Sequence, residues 1–257
     1  MKVAIIGAGN MGGSIARGLA QGTLVKSQDI IVSDPSLEKL NQLKLDCTDI
    51  VVTADNQKAI QNVDVVFLVV KPWLVADVLK NLKFTEKQTL VSVAAGVEIK
   101  ELESFLNQPI VIYRMIPNTA ISELASVNLL ATLNAPESLT QALLAILQEM
   151  GMAMFIPESQ LGAATALTSC GIAYVFKYIE AASRAGVELG IYPHDAMKMV
   201  AKSVEGAAKI ILNNDTHPSL EIDKVTTPGG ITIKGINELE RAGLDSASIR
   251  GMKISSK

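Results

Sequence analysis

The stretch KVAIIGAGNMGGSIARGLA, residues 2 to 20, narrows the choice of fold more than any other part of the chain. Gly7, Gly9 and Gly12 follow directly on a run of β-forming residues and open a segment of helical period. The backbone must therefore leave a strand, turn sharply and enter a helix that packs back on that strand. In such a unit Gly7 permits the tight turn and Gly9 lets the main chain approach a pyrophosphate. Gly12 allows close helix packing, and the free N–H groups at the helix start attract the anion. A glycine-rich turn with a purely structural role is the competing reading, and the strand-turn-helix context argues against it.

Strand-like runs recur with the same rhythm: KVAII, DIIVSD, DIVVT, VVFLVVK, TLVSVAA and IVIYRM. Residues 11 to 21, 35 to 45, 55 to 61, 73 to 81 and 98 to 106 lie between them and carry helical residues or apolar period. This alternation predicts a doubly wound, mostly parallel sheet of Rossmann type with helices on both faces. Beyond Ile156 the character changes. Residues 158 to 189, 193 to 212 and 231 to 242 read as Ala-rich helices without a strand, punctuated by Pro193, the NNDTHP loop and Gly243. We therefore expect a dinucleotide-binding domain over 1–157 and an all-helical domain over 158–257. At 49% hydrophobic and 19% charged residues, a 257-residue chain can fill two cores.

Composition removes several classes of function. The net charge of -3 and the lack of a basic stripe argue against a nucleic-acid partner. Cys47 and Cys170 stand far apart, with no CxxC or Cys/His cluster, so neither a disulfide framework nor a metal site is expected and a reducing cytoplasm fits. The N-terminal apolar run breaks at once into glycines and reads as no export signal. The uncharged stretch SQLGAATALTSCGIAYVF is diluted by Gln160, Thr165, Thr168 and Ser169, which predicts a buried helix and no membrane span.

Around the first glycine cluster, Asp34 ends the second strand, where a carboxylate accepts hydrogen bonds from the adenosine ribose of NAD. Its other reading is an ordinary turn residue before Pro35. SDPSLEK contains no Arg, and only Lys39 can turn toward a 2′-phosphate, so charge alone points to NADH over NADPH. Lys71 and Pro72 follow the fourth strand at the ligand-binding edge of the sheet. Lys71 there faces the cofactor or is a solvated strand-end lysine. Ala94, Ala95 and Gly96 are small enough for a flat ring to lie close to the chain.

A second glycine cluster, VTTPGG at 225 to 230, precedes the helical run ITIKGINELERAG. Thr227 is expected to cap that helix and Pro228 to occupy its first position, with Gly229 and Gly230 leaving amides uncovered. The turn is either a second anion cradle, fit for a substrate carboxylate, or a cap serving only its own helix. Thr226, Thr227 and Thr232 add hydroxyls, whereas His194 and His217 beside prolines read as solvated or capping residues and Cys170 as a core residue. So sparse a site suits hydride transfer, in which a cofactor carries the chemistry and the protein orients the partners.

Taken in order, GAGNMG, VVKP, VSVAAGV, YRMIPNT, TALTSCGIAYVF and DKVTTPGGITIKGINELE resemble the pyrroline-5-carboxylate reductases, the enzymes that make L-proline. The resemblance covers nearly the whole chain apart from a short C-terminal tail. It implies a Rossmann domain, a helical domain that interlocks with a partner subunit in a homodimer or larger homo-oligomer, and reduction of the cyclic imine 1-pyrroline-5-carboxylate by NADPH or NADH. By position it implies that Gly7, Gly9, Asn10, Met11 and Gly12 hold the pyrophosphate, with Asn56, Lys71 and Pro72 along the cofactor. Met115, Pro117 and Asn118 would border nicotinamide and substrate. Thr227, Gly229 and Gly230 would take the substrate carboxylate, and Thr232 the ring nitrogen as orienter or proton relay. The chain departs from the family pattern at Thr168, Ser169 and Ile172, at PNTA, and at Asp34, where a basic residue is often found. Two other readings are a β-hydroxyacid dehydrogenase, for which Lys177 would have to serve as catalytic lysine, and a nucleotide-binding regulatory paralogue without turnover.

Overall fold

The computed structural model describes residues 1–256 and contains two compact units, Met1–Ser169 and the chain from Cys170 onward. The first unit is built on one eight-stranded sheet. Its strands are β1 (Val3–Ile6), β2 (Ile30–Ser33), β3 (Val51–Thr53), β4 (Val65–Leu68), β5 (Thr89–Ser92), β6 (Val111–Ile116), β7 (Ser126–Ala131) and β8 (Gly151–Phe155), in spatial order β3-β2-β1-β4-β5-β6-β7-β8. The first six are mutually parallel, and β1 carries β2 on one side and β4 on the other through Val3, Ala4, Ile5 and Ile6. β7 reverses direction against β6, and β8 runs parallel to β7.

The crossovers are α1 (Asn10–Gln21), α2 (Leu37–Asp46), α3 (Asn56–Ala59), α4 (Val75–Lys80) and α5 (Ile99–Phe105), and α6 (Glu137–Gln148) links β7 to β8. Successive strand residues face opposite sides, so each face of the sheet has its own core. Ile5, Val32, Phe67 and Tyr113 pack with Ile15 and Leu19 of α1 and with Leu147 of α6. Ile6, Val66 and Leu68 pack with Leu79 of α4 and Leu102 of α5. A strand covered on both sides reads as a continuous apolar run, which is why VAII and VVFL were visible in the sequence.

The two strands beyond the predicted six have weaker local signals. β7 carries the buried Asn128, whose amide donates to the Leu147 carbonyl at 3.2 Å, and β8 is GMAMF, poor in β-branched residues. What places β8 is Gly151, with φ +130; a Cβ there would lie 2.2 Å from the Ser126 carbonyl oxygen. After β8 the chain enters α7 (Leu161–Thr168), and its Leu161 is buried with Ile116, Leu129 and Ala131. The first unit therefore closes at Ser169, beyond the 157/158 boundary at which composition changes.

The second unit holds α8 (Gly171–Glu188), α9 (Pro193–Asn214), α10 (Pro218–Val225), α11 (Ile231–Arg241) and α12 (Leu244–Ile254). Residues 158 to 189 thus form a 3-10 turn and two helices where one helical run was expected. α10 begins where a loop was read, and α12 occupies the tail. His217 caps α10, its Nδ1 accepting from the Ser219 N–H at 3.3 Å. α8 and α9 pack closely where Gly186 meets Ala196, since a Cβ at 186 would lie 3.0 Å from that of Ala196. Among the described residues of this unit only Gly171 and Ala196 are buried. No described helix is long and apolar enough to cross a membrane.

Candidate functional site

From β1 the chain winds one way, through β2 to β3; from β4 it winds the other way, through β5 to β6. Ligands of open α/β sheets bind where this reversal opens a crevice at the carboxyl ends of the strands. Here those ends are locked together. The Gly7 N–H donates to the Ser33 carbonyl at 2.7 Å, and the Val69 N–H donates to the Ile6 carbonyl at 2.8 Å. Gly7 has φ +105, and a Cβ on it would lie 2.3 Å from the Val69 carbonyl oxygen. A Cβ on Gly12 would lie 1.8 Å from the Gly7 carbonyl oxygen. Both glycines are therefore required to form the turn itself.

Gly9 is different. It is the N-cap of α1 and has no side chain to satisfy the first-turn amides; a Cβ there would meet nothing within 4 Å. The turn leaves open space beside the first amides of the helix, with Asn10 exposed and Met11 half-buried against the core. These residues fit a dinucleotide pyrophosphate on geometry alone.

The neighbouring expectations fall at the same edge. The Asp34 carboxylate is buried and accepts from the Ala8 N–H at 2.8 Å and the Ser36 N–H at 2.9 Å. It fastens the glycine turn to the end of β2. Ser33 Oγ donates to Asn56 Oδ1 at 2.8 Å, which fixes the side-chain amide of Asn56 at the start of α3; spacing in the sequence gave no sign of this bond. Lys71 is exposed and precedes a 3-10 turn over Pro72–Leu74, with Pro72 at its first position. The only tryptophan, Trp73, is 74% exposed on that turn. Ala95 is exposed after β5, beside Gly96 with φ +78 and open space where a Cβ would stand.

At the end of β6 the side chains serve the fold. Met115 is fully buried in the core and Pro117 is buried. Asn118 caps the 3-10 turn Thr119–Glu123, its Oδ1 accepting from the Ala120 N–H at 3.0 Å, while its Nδ2 donates to the Thr168 carbonyl at 3.3 Å. α1 packs against this turn through Gly18, where a Cβ would lie 2.6 Å from the Ile121 carbonyl oxygen. Gln21 adds a hydrogen bond of 2.8 Å to the Ser122 carbonyl. The helix whose N-terminus forms the cradle thus also sets the position of Asn118.

In the second unit, Thr227 and Pro228 do not start the helix as expected. The Gly230 N–H donates to the Thr227 carbonyl at 2.9 Å and Gly229 has φ +75, so Thr227–Pro228–Gly229–Gly230 is a β-turn with proline and a left-handed glycine at its centre. Gly230 is then the N-cap of α11 and again has no capping side chain, and Thr232 stands exposed on the first turn of that helix. The open amides of the cradle reading are retained; only their register differs. Lys177 is paired with Glu180 at 2.7 Å on the surface of α8, as an ordinary helix ion pair. The carboxylates held below their ordinary range, Glu149, Glu180, Glu205 and Glu221, belong to the end of α6 and to α8, α9 and α10. Among the described residues no group of His, Cys, Asp and Glu could hold a metal.

Known proteins resemble this chain along its length. A family model described as pyrroline-5-carboxylate reductase dimerisation matches residues 158–257, and one described as NADP oxidoreductase coenzyme F420-dependent matches residues 2–96. The chain is 37% identical to a pyrroline-5-carboxylate reductase of Methanosarcina acetivorans over 96% of its own length and 92% of the relative's. It is 36% identical over 99% of its length to pyrroline-5-carboxylate reductase 1 of Dictyostelium discoideum, of which it spans about half, 48%. Among solved structures, the 1-pyrroline-5-carboxylate reductase of Streptococcus pyogenes superposes with a TM-score of 0.86 at 32% identity, covering 100% of this chain and 98% of that one. The Plasmodium falciparum pyrroline carboxylate reductase with NADP bound gives a TM-score of 0.90 at 24% identity, over 100% and 95% of the two chains.

Proposed function

Because the chain belongs to the pyrroline-5-carboxylate reductase family, we propose that it reduces 1-pyrroline-5-carboxylate to L-proline, with NADH or NADPH as hydride donor. The observation that carries this reading is the glycine turn at the sheet's switch point, with open space at Gly9 beside uncapped helix amides, in a chain that matches such reductases along its full length. It is an NAD(P)H-dependent oxidoreductase.

When bound, the reduced nicotinamide supplies the hydride. The protein's part is to hold and orient. The amides that follow Gly9 take the pyrophosphate, with Asn10 and Met11 beside them, and Lys71, Pro72, Asn56 and Ala95 line the cofactor's course along the sheet edge. The Thr227, Gly229 and Gly230 turn takes the imine's carboxylate. Reduction of a protonated imine yields a neutral amine and leaves no oxyanion to stabilise, which accounts for a site without an acid-base pair. The Thr232 hydroxyl, too weak an acid to release a proton freely, orients the ring nitrogen or relays through water. Met115, Pro117 and Asn118 contribute the end of β6 as a wall, set by their packing.

The homo-oligomer implied by the matched dimerisation model has a physical counterpart in the second unit, where Leu189 is 83% and Ile231 88% exposed. Both cysteines are free thiols, in keeping with a cytoplasmic location.

The test is direct. Purified protein, 1-pyrroline-5-carboxylate and either NADH or NADPH should give cofactor oxidation matched by proline; no proline with either nucleotide defeats the reading. Gly229→Asp places a carboxylate in the second cradle and should raise KM for the imine about tenfold or more, with a far smaller effect on the cofactor. Equal effects on both would remove the carboxylate assignment.

A further inference from the structure

Arg114 places a cation inside an apolar sheet. It lies between Tyr113 and Met115 on β6 and so shares its face with Ile112 and Ile116, all four of them packed in hydrophobic clusters. Its side chain is 9% exposed, and a guanidinium so deep is tolerated only where a carboxylate meets it. That carboxylate is Glu158, 44 residues further on, which accepts from Arg114 Nη1 at 2.8 Å. The same Glu158 oxygen accepts from the Ile99 N–H at 2.9 Å. Ile99 is the first residue of α5, whose N-cap Glu98 gives the helix no side-chain cap of its own.

The ion pair therefore joins segments distant in the chain. Arg114 stands beside Ser92, the last residue of β5, in parallel register, and Ile99 closes the loop that leaves that strand. Residues 93 to 98 are thus held at both ends, with the exposed Ala95 and the left-handed Gly96 between them. On the other side of the pair, α7, which the chain enters from Glu158, ends at Thr168, whose carbonyl accepts from Asn118 Nδ2 at 3.3 Å. The loop after β5 and the end of β6 are two walls of the proposed nicotinamide site. We infer that Arg114 and Glu158 are positioning residues for hydride transfer: their ion pair fixes the Ala95 and Gly96 loop against the end of β6 and so sets where the nicotinamide ring lies. The inference rests on the reading of the site as that of an NAD(P)H-dependent imine reductase. A shift of about 1 Å in this loop slows the transfer far more than it weakens a dinucleotide held at its pyrophosphate.

Single turnovers of the full chain with NADH and 1-pyrroline-5-carboxylate separate position from stability, because unfolded chains lower the amplitude of the transient whereas misplaced groups lower its rate constant. Glu158→Ala should reduce the rate constant about tenfold or more, with the Kd for NADH changed by less than about threefold. Glu158→Gln keeps an oxygen that accepts from both donors and should recover to within about threefold of the wild type. Arg114→Met combined with Glu158→Leu exchanges the buried pair for apolar packing, which keeps the fold, yet it should remain about tenfold slow. Hydrogen exchange gives a reading without turnover: in Glu158→Ala and in the double variant the Ile99 amide loses its acceptor and should exchange about tenfold faster, with the amides of β1 unchanged. A double variant within about twofold of the wild-type rate constant, a glutamine variant no faster than the alanine one, or unchanged exchange at Ile99 overturns the inference. Faster exchange at Ile99 in a protein that makes no proline would sink the proposed reaction and leave the tie between loop and strand standing.

Discussion

At the residue scale, the glycines of the first turn separate into two kinds by what surrounds them. Gly7 and Gly12 have backbone atoms where a Cβ would be, whereas Gly9 has open space. Gly12→Ala must push the Gly7 carbonyl aside and should cost about 1–3 kcal/mol, lowering the thermal midpoint by roughly 2–4 °C for each kcal/mol. Gly9→Val adds no internal clash, because its N-cap backbone is extended. It should melt within about 1 °C of the wild type, yet bind NADH about tenfold or more weakly, since the added methyls fill that open space. Melting curves and dinucleotide titrations on the two variants check the distinction; a Gly9→Val variant that binds NADH normally would show that the open space is not the cofactor's. The same positions show what the sequence made legible. Glycine spacing marked the cradle, but the two amide bonds that tie Asp34 to the Ala8 and Ser36 N–H groups have no signature in spacing. The start of α11 at Ile231 depends on the left-handed Gly229, which spacing does not reveal.

At the scale of elements, α1 links two parts of the candidate site, its N-terminus forming the cradle and Gly18 resting on the turn that Asn118 caps. Gly18→Ala should displace that turn from Ile121 and lower kcat about tenfold, with a smaller change in dinucleotide affinity; small misplacements of this kind are costly in hydride transfer. Single-turnover rates beside cofactor titrations would measure the split. The far end of α1 is held by Glu149. Partial desolvation raises its pKa, but hydrogen bonds from the Thr23 hydroxyl, the Thr23 N–H and the Leu24 N–H outweigh this and hold the carboxyl below its ordinary value of 4.5. A depressed pKa stabilises the fold above the unfolded value, and that contribution is lost as pH falls through the folded one. The melting temperatures of wild type and Glu149→Gln should therefore differ near neutrality and converge as the pH falls through the depressed carboxyl value, below 4.5. The six parallel strands were readable from their apolar runs, whereas β7 and β8 depend on the fit of Gly151 against Ser126 and on the bond from Asn128 to Leu147. Those are tertiary facts with no local signature.

For the whole molecule, the decisive contrast is between a sheet with a filled core on each face and a helical unit with two buried residues among those described. The all-helical character of the second unit was legible from composition; the shortage of an interior was not, since exposed and buried apolar positions look alike in a sequence. Phe176 on α8 and Leu212 on α9 are among the exposed apolar residues. Phe176→Glu combined with Leu212→Glu should shift the sedimentation profile toward single chains and make the melting temperature of the remaining oligomer fall on dilution. A double variant that sediments as the wild type does would remove these faces from the subunit contact. Newly synthesised chains must therefore wait for a mate with greasy helices still wet. Renaturation should follow second-order kinetics, with precipitation as its rival, and the lifetime of the helical half should depend on how crowded the solution is with its own kind.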